Sequence, residues 1–238
     1  MRLKEICIIL TPTFRAHAYL QKLTQNDFHP NFVIIINGKN KGILTGINKE
    51  NEHHFFSKFQ DFKLVLNRYN IPYKEVRAED CNDKKIIQII KQRNEKYFIY
   101  TGGGILKEEI LNLGKKFIHI HPGIVPKYRG STCIYYSVIN KNRCGATAFF
   151  MSKKIDSGDV IGKKIFKKPS IANIDYEYDC HIRSSMLIDI IKNYIKNGKF
   201  KSKPQDYNDG ETYFIIHPVL KHLAILSCIK NEKSKNIS

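Results

Sequence analysis

Two histidines and one aspartate are the residues whose types and spacing could do chemistry in this sequence. His119 and His121 alternate at the end of a predicted strand, so both side chains lie on one face. With Asp156 as a third group they could hold a metal ion, or one imidazole could act as a general acid or base beside a second polar group. Both histidines could also be hydrogen-bonded interior side chains. Because no further ligand follows at a recognisable spacing, acid–base chemistry is favoured over a metal site.

The loop that follows the second histidine is the most specific stretch of the chain. Residues 121–130 read His-Pro-Gly-Ile-Val-Pro-Lys-Tyr-Arg-Gly. Pro122 and Pro126 remove two backbone donors, and Gly123 and Gly130 permit tight turns. A loop so constrained would hold its neighbours in a fixed geometry, which suits a catalytic His121.

A run of three glycines, residues 102–104, follows one predicted strand and precedes a predicted helix. Such a run permits close approach of the backbone to a flat or phosphorylated ligand. Its match to a dinucleotide-binding fingerprint is poor, because Lys107 stands where the last glycine is required. Taken alone, the run is more simply a tight turn between strand and helix.

Alternating apolar and amphipathic stretches must position these residues. The pattern predicts strands at 5–10, 32–36, 72–77, 97–100 and 117–120, and helices at 16–25, 53–67, 84–92, 107–113 and 178–196. Repeated strand–helix–strand order implies an α/β fold with a parallel sheet and helices on both faces. Ligands bind beyond the carboxyl ends of such strands, and both the glycine run and His121 fall there.

Composition and cysteine usage restrict the class of protein. The chain has 238 residues, of which 42% are hydrophobic and 26% are charged. A chain of this length and composition can bury a full hydrophobic core without the support of disulfides or metal ions. Six cysteines form no CxxC pair, which argues against a structural zinc site and favours a reduced, cytoplasmic compartment. The apolar run at residues 6–10 is too short for a signal peptide or a membrane span.

The charge balance is strongly basic, with 40 Lys and Arg against 22 Asp and Glu and a net charge of +18. Such a surplus attracts phosphorylated ligands, nucleic acid or anionic lipid. The lysines are spread singly or in pairs among Asn and Ile, which favours a compositional bias. A nucleotide or phosphate partner ranks next, and tRNA third.

Three ordered blocks, residues 119–130, 145–151 and 155–161, resemble the folate-dependent formyltransferases. The pattern of that family reads roughly N-x-H-P-S-L-L-P-x-Y-R-G, then G-x-T, then D-x-G-x-I-I. The resemblance covers about residues 6–165. It implies a Rossmann-like domain that binds 10-formyltetrahydrofolate and passes the formyl group to an amine. The implied catalytic residues are His121 and Asp156, with His119 in the usual Asn position and Gly123 replacing a Ser.

The resemblance also assigns folate contacts and a mechanism. The implied folate-binding residues are Gly103, Gly104, Ile105, Leu106, Ile155 and Asp156. Opposite charge on Asp156 is expected to raise the pKa of His121 and keep it protonated, so that it steadies the developing oxyanion. His119 would supply a second donor, and activity is expected to fall as the pH drops below neutrality.

The residues beyond the three motif blocks suggest the acceptor amine. Methionyl-tRNA formyltransferases normally carry a C-terminal β-barrel, which the residues after 165 are too few to build. The tail resembles the short extension of sugar N-formyltransferases, which act on nucleotide-linked amino sugars. A domain at 1–200 with a small extension at 201–238, and a homodimer, are expected. Candidate substrate contacts are Arg15, Arg129 and Tyr213.

Three other functions stay open at this point. A methionyl-tRNA or other amine formyltransferase would share the motifs. A metal-dependent hydrolase would use His119, His121 and Asp156 as ligands. A folate or nucleotide binder without turnover would explain the unusual His119.

Overall fold

A mainly parallel β-sheet organises the protein, which confirms the predicted α/β class. The computed structural model describes residues 1–38, 55–56 and 61–233. Within that part of the chain the strands are β1 (Arg2–Leu10), β2 (His29–Ile36), β3 (Tyr73–Val76), β4 (Tyr97–Tyr100), β5 (Lys116–His121), β6 (Tyr128–Gly130), β7 (Arg143–Phe150), β8 (Val160–Lys167) and β9 (Glu211–Tyr213). Seven of these described strands form one sheet in the order β3-β2-β1-β4-β5-β7-β8, and β6 pairs with β9 separately.

The helices occupy most of the positions that the periodicity predicts. They are α1 (Phe14–Gln25), α2 (Phe62–Arg68), α3 (Lys84–Lys91), α4 (Glu108–Leu111), α5 (Cys133–Lys141), α6 (Asp179–Asn197) and α7 (Pro218–Lys233), with a π-helical turn at Ile174–Tyr178. The predicted helix at 53–67 coincides with the structure only at α2, and its residues 53–54 and 57–60 lie outside the described residues.

Contacts divide the chain into two compact units, the first of which comprises residues 1–119 and 150–153. Its strands β1 to β4 pair in parallel, and β4 continues in parallel to β5. Helix α3 shows why the elements form: the Asp83 carboxylate accepts the Lys85 N–H at the helix start, and the isoleucines at 86, 87, 89 and 90 are all buried. Burial of such apolar faces against the strands builds the core.

The second unit comprises residues 120–149 and 154–238. Strands β7 and β8 form an antiparallel hairpin, which makes the sheet mixed rather than wholly parallel. Helix α6 packs on β8: a Cβ at Gly162 would meet the Met186 side chain, and Lys164 Nζ lies 2.6 Å from Asp189 Oδ2. Gly198 ends this helix at a φ of 71°. The predicted division at residue 200 stays a prediction.

Two general features bear on the expected class of protein. All six cysteines are free and buried. Among the described residues, no helix combines the length and the apolar character that crossing a membrane would need.

Candidate active site

A buried histidine at the end of β5 contacts a partly exposed aspartate. His121 is the last residue of that strand, and Asp156 lies in the loop between β7 and β8. His121 Nδ1 is 3.3 Å from Asp156 Oδ2, and His121 Nε2 is 2.9 Å from the backbone oxygen of Tyr128. The side chain of His121 is only 3% exposed. The structure therefore brings together the predicted histidine and the predicted carboxylate, and fixes the ring through both nitrogens.

The charge state of His121 differs from the expected one. Burial lowers the pKa of His121, and the nearby Arg183 guanidinium acts in the same direction. The Asp156 carboxylate raises this pKa but does not offset the loss of solvent. The prediction of a protonated His121 near neutrality is therefore wrong. The sequence indicated the opposite charge nearby, but the desolvation that outweighs it appears only in the folded chain.

A neutral His121 has a defined proton arrangement. The Tyr128 carbonyl can only accept, so the hydrogen bond from Nε2 requires the ring proton on that atom. Nδ1 then carries the lone pair and faces the Asp156 carboxylate. A proton added to Nδ1 would point toward Asp156 and form an ion pair with it. The pair is thus arranged to accept a proton at Nδ1.

Asp156 is held in an unusual backbone conformation by its neighbours. Its φ of 48° lies in the left-handed region, which is uncommon for residues other than glycine. The Gly130 N–H donates to Asp156 Oδ2 at 2.7 Å. Gln205 Nε2 donates to the backbone oxygens of Asp156 at 2.9 Å and Gly158 at 2.7 Å. Sequence reasoning missed Gln205, because its contribution depends on a contact 49 residues away along the chain.

Gly123, which departs from the Ser of the family pattern, is explained by the position of the histidine ring. A Cβ at Gly123 would lie 2.7 Å from His121 Nε2 and 2.8 Å from the Tyr128 backbone oxygen, closer than real contacts allow. The missing side chain therefore makes room for the hydrogen bond that orients the ring.

If His121 acts as the predicted catalytic residue, we expect Gly123→Ala to lower the kcat of the enzyme by roughly tenfold or more, because the methyl group displaces the imidazole ring. Steady-state kinetics would measure this change, and circular dichroism would verify that the fold is kept. A variant with the kcat of the wild type would show that the ring tolerates the methyl group.

His119 and Arg183 complete the surroundings of β5. His119 is half-buried and precedes His121 by two residues on the strand, so the two side chains share a face, as predicted. Arg183 of α6 is buried, pairs with Asp179 at 2.8 Å and donates to the Ile120 backbone oxygen. Sequence reasoning missed Arg183; the one signal for it was a cation four residues after an acid on a predicted helix.

The predicted folate-binding loop of the first unit presents an open stretch of backbone. A Cβ at Gly103 or Gly104 would meet nothing within 4 Å, and Gly104 has a φ of 90°. Ile105 is 55% exposed, whereas Leu106 is buried in the core. The loop thus offers accessible backbone beside an apolar anchor, which fits a flat ligand.

Side chains of the same unit brace this loop. Tyr100 Oη donates to the Gly103 oxygen at 3.1 Å, and Asn82 Nδ2 donates to the Ile105 oxygen at 3.1 Å. Arg15, a candidate substrate contact, donates through Nη1 to the oxygens of Thr101 and Gly102, each at 3.2 Å. Arg15 therefore supports the loop, and its contact with substrate stays a prediction. Ile155, the folate candidate of the second unit, is 41% exposed.

The other two substrate candidates anchor the C-terminal segment. Arg129 is only 3% exposed; its guanidinium donates to the oxygens of Tyr207 at 2.8 Å and Gly210 at 2.9 Å, and lies 4.0 Å from the centre of the Tyr207 ring. Tyr213 packs on the rings of Tyr128 and Tyr136, with centroid distances of 5.4 and 4.4 Å. Both side chains therefore stabilise contacts within the protein, and their contacts with substrate stay predictions.

The alternative of a metal site requires several ligating side chains that lie close together. Across residues 1–38, 55–56 and 61–233, no group of three or more His, Cys, Asp or Glu side chains is arranged to hold a metal ion.

Part of the chain is similar in sequence to curated methionyl-tRNA formyltransferases. The chain is 26% identical over 151 residues to a methionyl-tRNA formyltransferase of Thermotoga maritima, covering 61% of this chain and 47% of that protein. It is 36% identical over 104 residues to one from Desulforamulus reducens, covering 42% and 32%. The chain thus spans about half the length, or less, of these curated relatives.

Solved structures share the fold. An N-formyltransferase from Helicobacter canadensis, in complex with folinic acid and dTDP-3-aminofucose, superposes with a TM-score of 0.63 at 16% identity, over 95% of this chain and 81% of that one. A sugar N-formyltransferase from Shewanella gives 0.60 at 16% identity, over 94% and 87%. The formyl transferase family matches residues 4–174, a span that includes both His121 and Asp156. This chain therefore belongs to the formyl transferase family.

Proposed function

We propose that this protein transfers a formyl group from 10-formyltetrahydrofolate to the amino group of a nucleotide-linked amino sugar. The contact of 3.3 Å between His121 Nδ1 and Asp156 Oδ2 carries the proposal. Both residues match the positions that the resemblance gives to the catalytic residues, and His121 is buried, where a proton acceptor gains from fixed geometry.

The formyl donor would be held by accessible backbone. Gly103 to Leu106 and the loop at Ile155 and Asp156 are the segments proposed for it, and when bound it supplies the formyl group. The chain's own residues then have one main task. An amine that attacks the formyl carbon forms a new C–N bond and loses a proton, and His121 Nδ1 is the atom proposed to take it, because protonation turns its contact with Asp156 into an ion pair. As the bond between the formyl carbon and the folate nitrogen breaks, His121 would pass this proton to that nitrogen, so that tetrahydrofolate leaves.

His119 is proposed as the donor toward the developing negative charge on the formyl oxygen. A neutral imidazole donates one N–H, which suits the position that Asn occupies in the family pattern. Two residues of strand separate His119 from His121 by about 6.6 Å along β5. Preorganised donors of this kind typically contribute on the order of 10²–10³ in rate.

The sugar acceptor is supported by the higher TM-scores of the sugar enzymes, which are 0.60, 0.61 and 0.63. Two sugar N-formyltransferase structures and the N-formyltransferase bound to dTDP-3-aminofucose cover 94–95% of this chain and 78–87% of their own. A methionyl-tRNA formyltransferase structure from Clostridium thermocellum covers 90% of this chain and 74% of its own, with a lower TM-score of 0.54. The net charge of +18 suits an acceptor that carries phosphate groups. A homodimer and a cytoplasmic location stay predictions.

The acid side of the pH profile is a direct test of His121 as base. Because burial lowers the pKa of His121, the neutral form persists at neutral pH, and activity should fall only below the ordinary histidine value of about 6.5. Asp156 raises this pKa, so Asp156→Asn should move the midpoint to still lower pH, by roughly one unit or more, while reducing kcat. Asn tolerates the left-handed backbone at this position.

The pH dependence of kcat for both proteins would measure these midpoints. A midpoint in Asp156→Asn at the same or a higher pH than in the wild type would contradict the role of the carboxylate.

The acceptor is tested by offering the purified protein 10-formyltetrahydrofolate with dTDP- and UDP-linked amino sugars, and separately with methionyl-tRNA. We expect a nucleotide sugar to gain the mass of one formyl group. Transfer to methionyl-tRNA alone would overturn the sugar assignment. No transfer to any amine, with tight binding of a folate analogue, would favour a binder without turnover.

A further inference from the structure

We propose that the second unit contains a basic cleft that binds a diphosphate group, at a place other than the His121–Asp156 pair. The cleft has a volume of about 950 Å³ and lies between the first residues of β8 and the segment 199–209. We call it the lysine cleft, after the four lysines that line it: Lys163, Lys199, Lys201 and Lys203. Its volume suits a small organic ligand.

The four lysines that line the cleft differ from other lysines of the second unit in their ion pairing. Within the described residues, none of the four side chains forms a salt bridge, although lysines elsewhere in the same unit do. Lys164 is the clearest contrast, because it adjoins Lys163 on β8 yet lies 2.6 Å from Asp189. Four like charges around one concavity raise the local concentration of anions, since the cleft walls focus the field.

Two carboxylates also line the lysine cleft and limit its positive charge. They belong to Asp206 and Asp209. Asp206 Oδ1 already accepts the backbone N–H of Asn208 at 2.9 Å. Four ammonium groups against two carboxylates leave a positive excess, which favours a ligand with at least two negative charges over a neutral or a singly charged one.

The lysine cleft also has an apolar wall, which can contact an uncharged part of a ligand. Phe200 is buried and stacks on Tyr194 with a centroid distance of 4.8 Å, and Ile161 and Pro126 line the same space. Ligand sites combine such apolar surface with a few charged groups. Lysine ammonium groups are flexible point charges that suit the distributed oxygens of a diphosphate. A nucleoside diphosphate offers both parts, a ring for the wall and phosphates for the lysines.

The lysine cleft adjoins the segment that holds the catalytic carboxylate. Gln205 lines it and donates to the backbone oxygen of Asp156, and Pro126 comes from the loop after His121. The diphosphate could belong to a free nucleotide or to the nucleotide-linked acceptor. Binding itself does not depend on formyl transfer, so the two proposals fail separately.

The test is isothermal titration calorimetry of the full chain with inorganic pyrophosphate and with dTDP, at low and at moderate salt. We expect both to bind, more weakly as salt rises. Replacing all four lysines of the cleft with Gln should raise the Kd by roughly tenfold or more, because four ammonium groups that attract the diphosphate are lost. All four lysines are exposed, so the fold should survive, which circular dichroism would verify.

Lys164→Gln is the matched control, because it removes one charge from the same strand outside the cleft, and its Kd should stay within about twofold of the wild type. The proposal is overturned if the wild type binds neither ligand at millimolar concentration, if the fourfold variant binds as the wild type does, or if the control weakens binding equally. A parallel titration with a dTDP-linked amino sugar separates the two sources: weakening in the fourfold variant assigns the cleft to the acceptor, and unchanged binding assigns it to free nucleotide.

Discussion

Replacing His121 by Asn should lower the kcat of formyl transfer by roughly 10²–10⁴-fold, with a much smaller change in KM. The physical reason is the loss of Nδ1, the atom that faces Asp156 Oδ2 and can take the proton from the attacking amine. An asparagine amide offers no comparable base. Because proton transfer occurs in the transition state, its loss affects turnover more than binding.

This measurement needs a control variant and a test of folding. His222→Asn makes the same chemical change at an exposed site on α7, and should leave kcat within about twofold of the wild type, as surface substitutions usually do. Thermal unfolding of His121→Asn would exclude collapse of the buried site. A His121→Asn protein that keeps most of its kcat while staying folded would remove this residue from the mechanism.

Replacing Arg129 by Met should lower the free energy of unfolding by about 2–4 kcal/mol, because a buried charged donor is lost and its acceptors are left unpaired. The guanidinium serves the oxygens of Tyr207 and Gly210 and packs on the Tyr207 ring. Met keeps the length of the side chain but none of the donors. Arg129→Lys should recover only part of the loss, since an ammonium cannot match the planar fork.

Urea denaturation would measure this difference, with Arg143→Met as control. Arg143 is an exposed arginine on β7, and its removal should change the free energy of unfolding by no more than about 0.5 kcal/mol. Unchanged stability in Arg129→Met, together with a raised KM for the acceptor, would instead support the substrate contact predicted from the sequence.

Much of the fold follows from local pattern. The strand at Tyr97–Tyr100 and the helix that buries four isoleucines between residues 84 and 91 lie close to where the apolar spacing predicts them. The period of apolar residues records which face is buried, so it identifies such elements without tertiary knowledge. The antiparallel pairing of β7 with β8 could not be predicted in this way, because pairing direction depends on which strands meet.

The candidate site was also predictable only in part from the sequence. The resemblance of the three motif blocks to the family pattern was enough to select His121 and Asp156 as candidate catalytic residues, and the structure places the two side chains in contact. The support of Asp156 by Gln205 and the burial of Arg129 against Tyr207 join residues that are far apart in the chain, and local pattern contains no record of them.

The sequence by itself therefore determined the family and the α/β class, and it selected the candidate catalytic side chains, whose roles stay predictions. Only the tertiary structure decided the charge of His121, because the pKa depends on how much water the surrounding chain removes, and burial outweighs the attraction of Asp156. It likewise decided why residue 123 is glycine, since the space that a Cβ would need is taken by the ring of His121 and the Tyr128 oxygen.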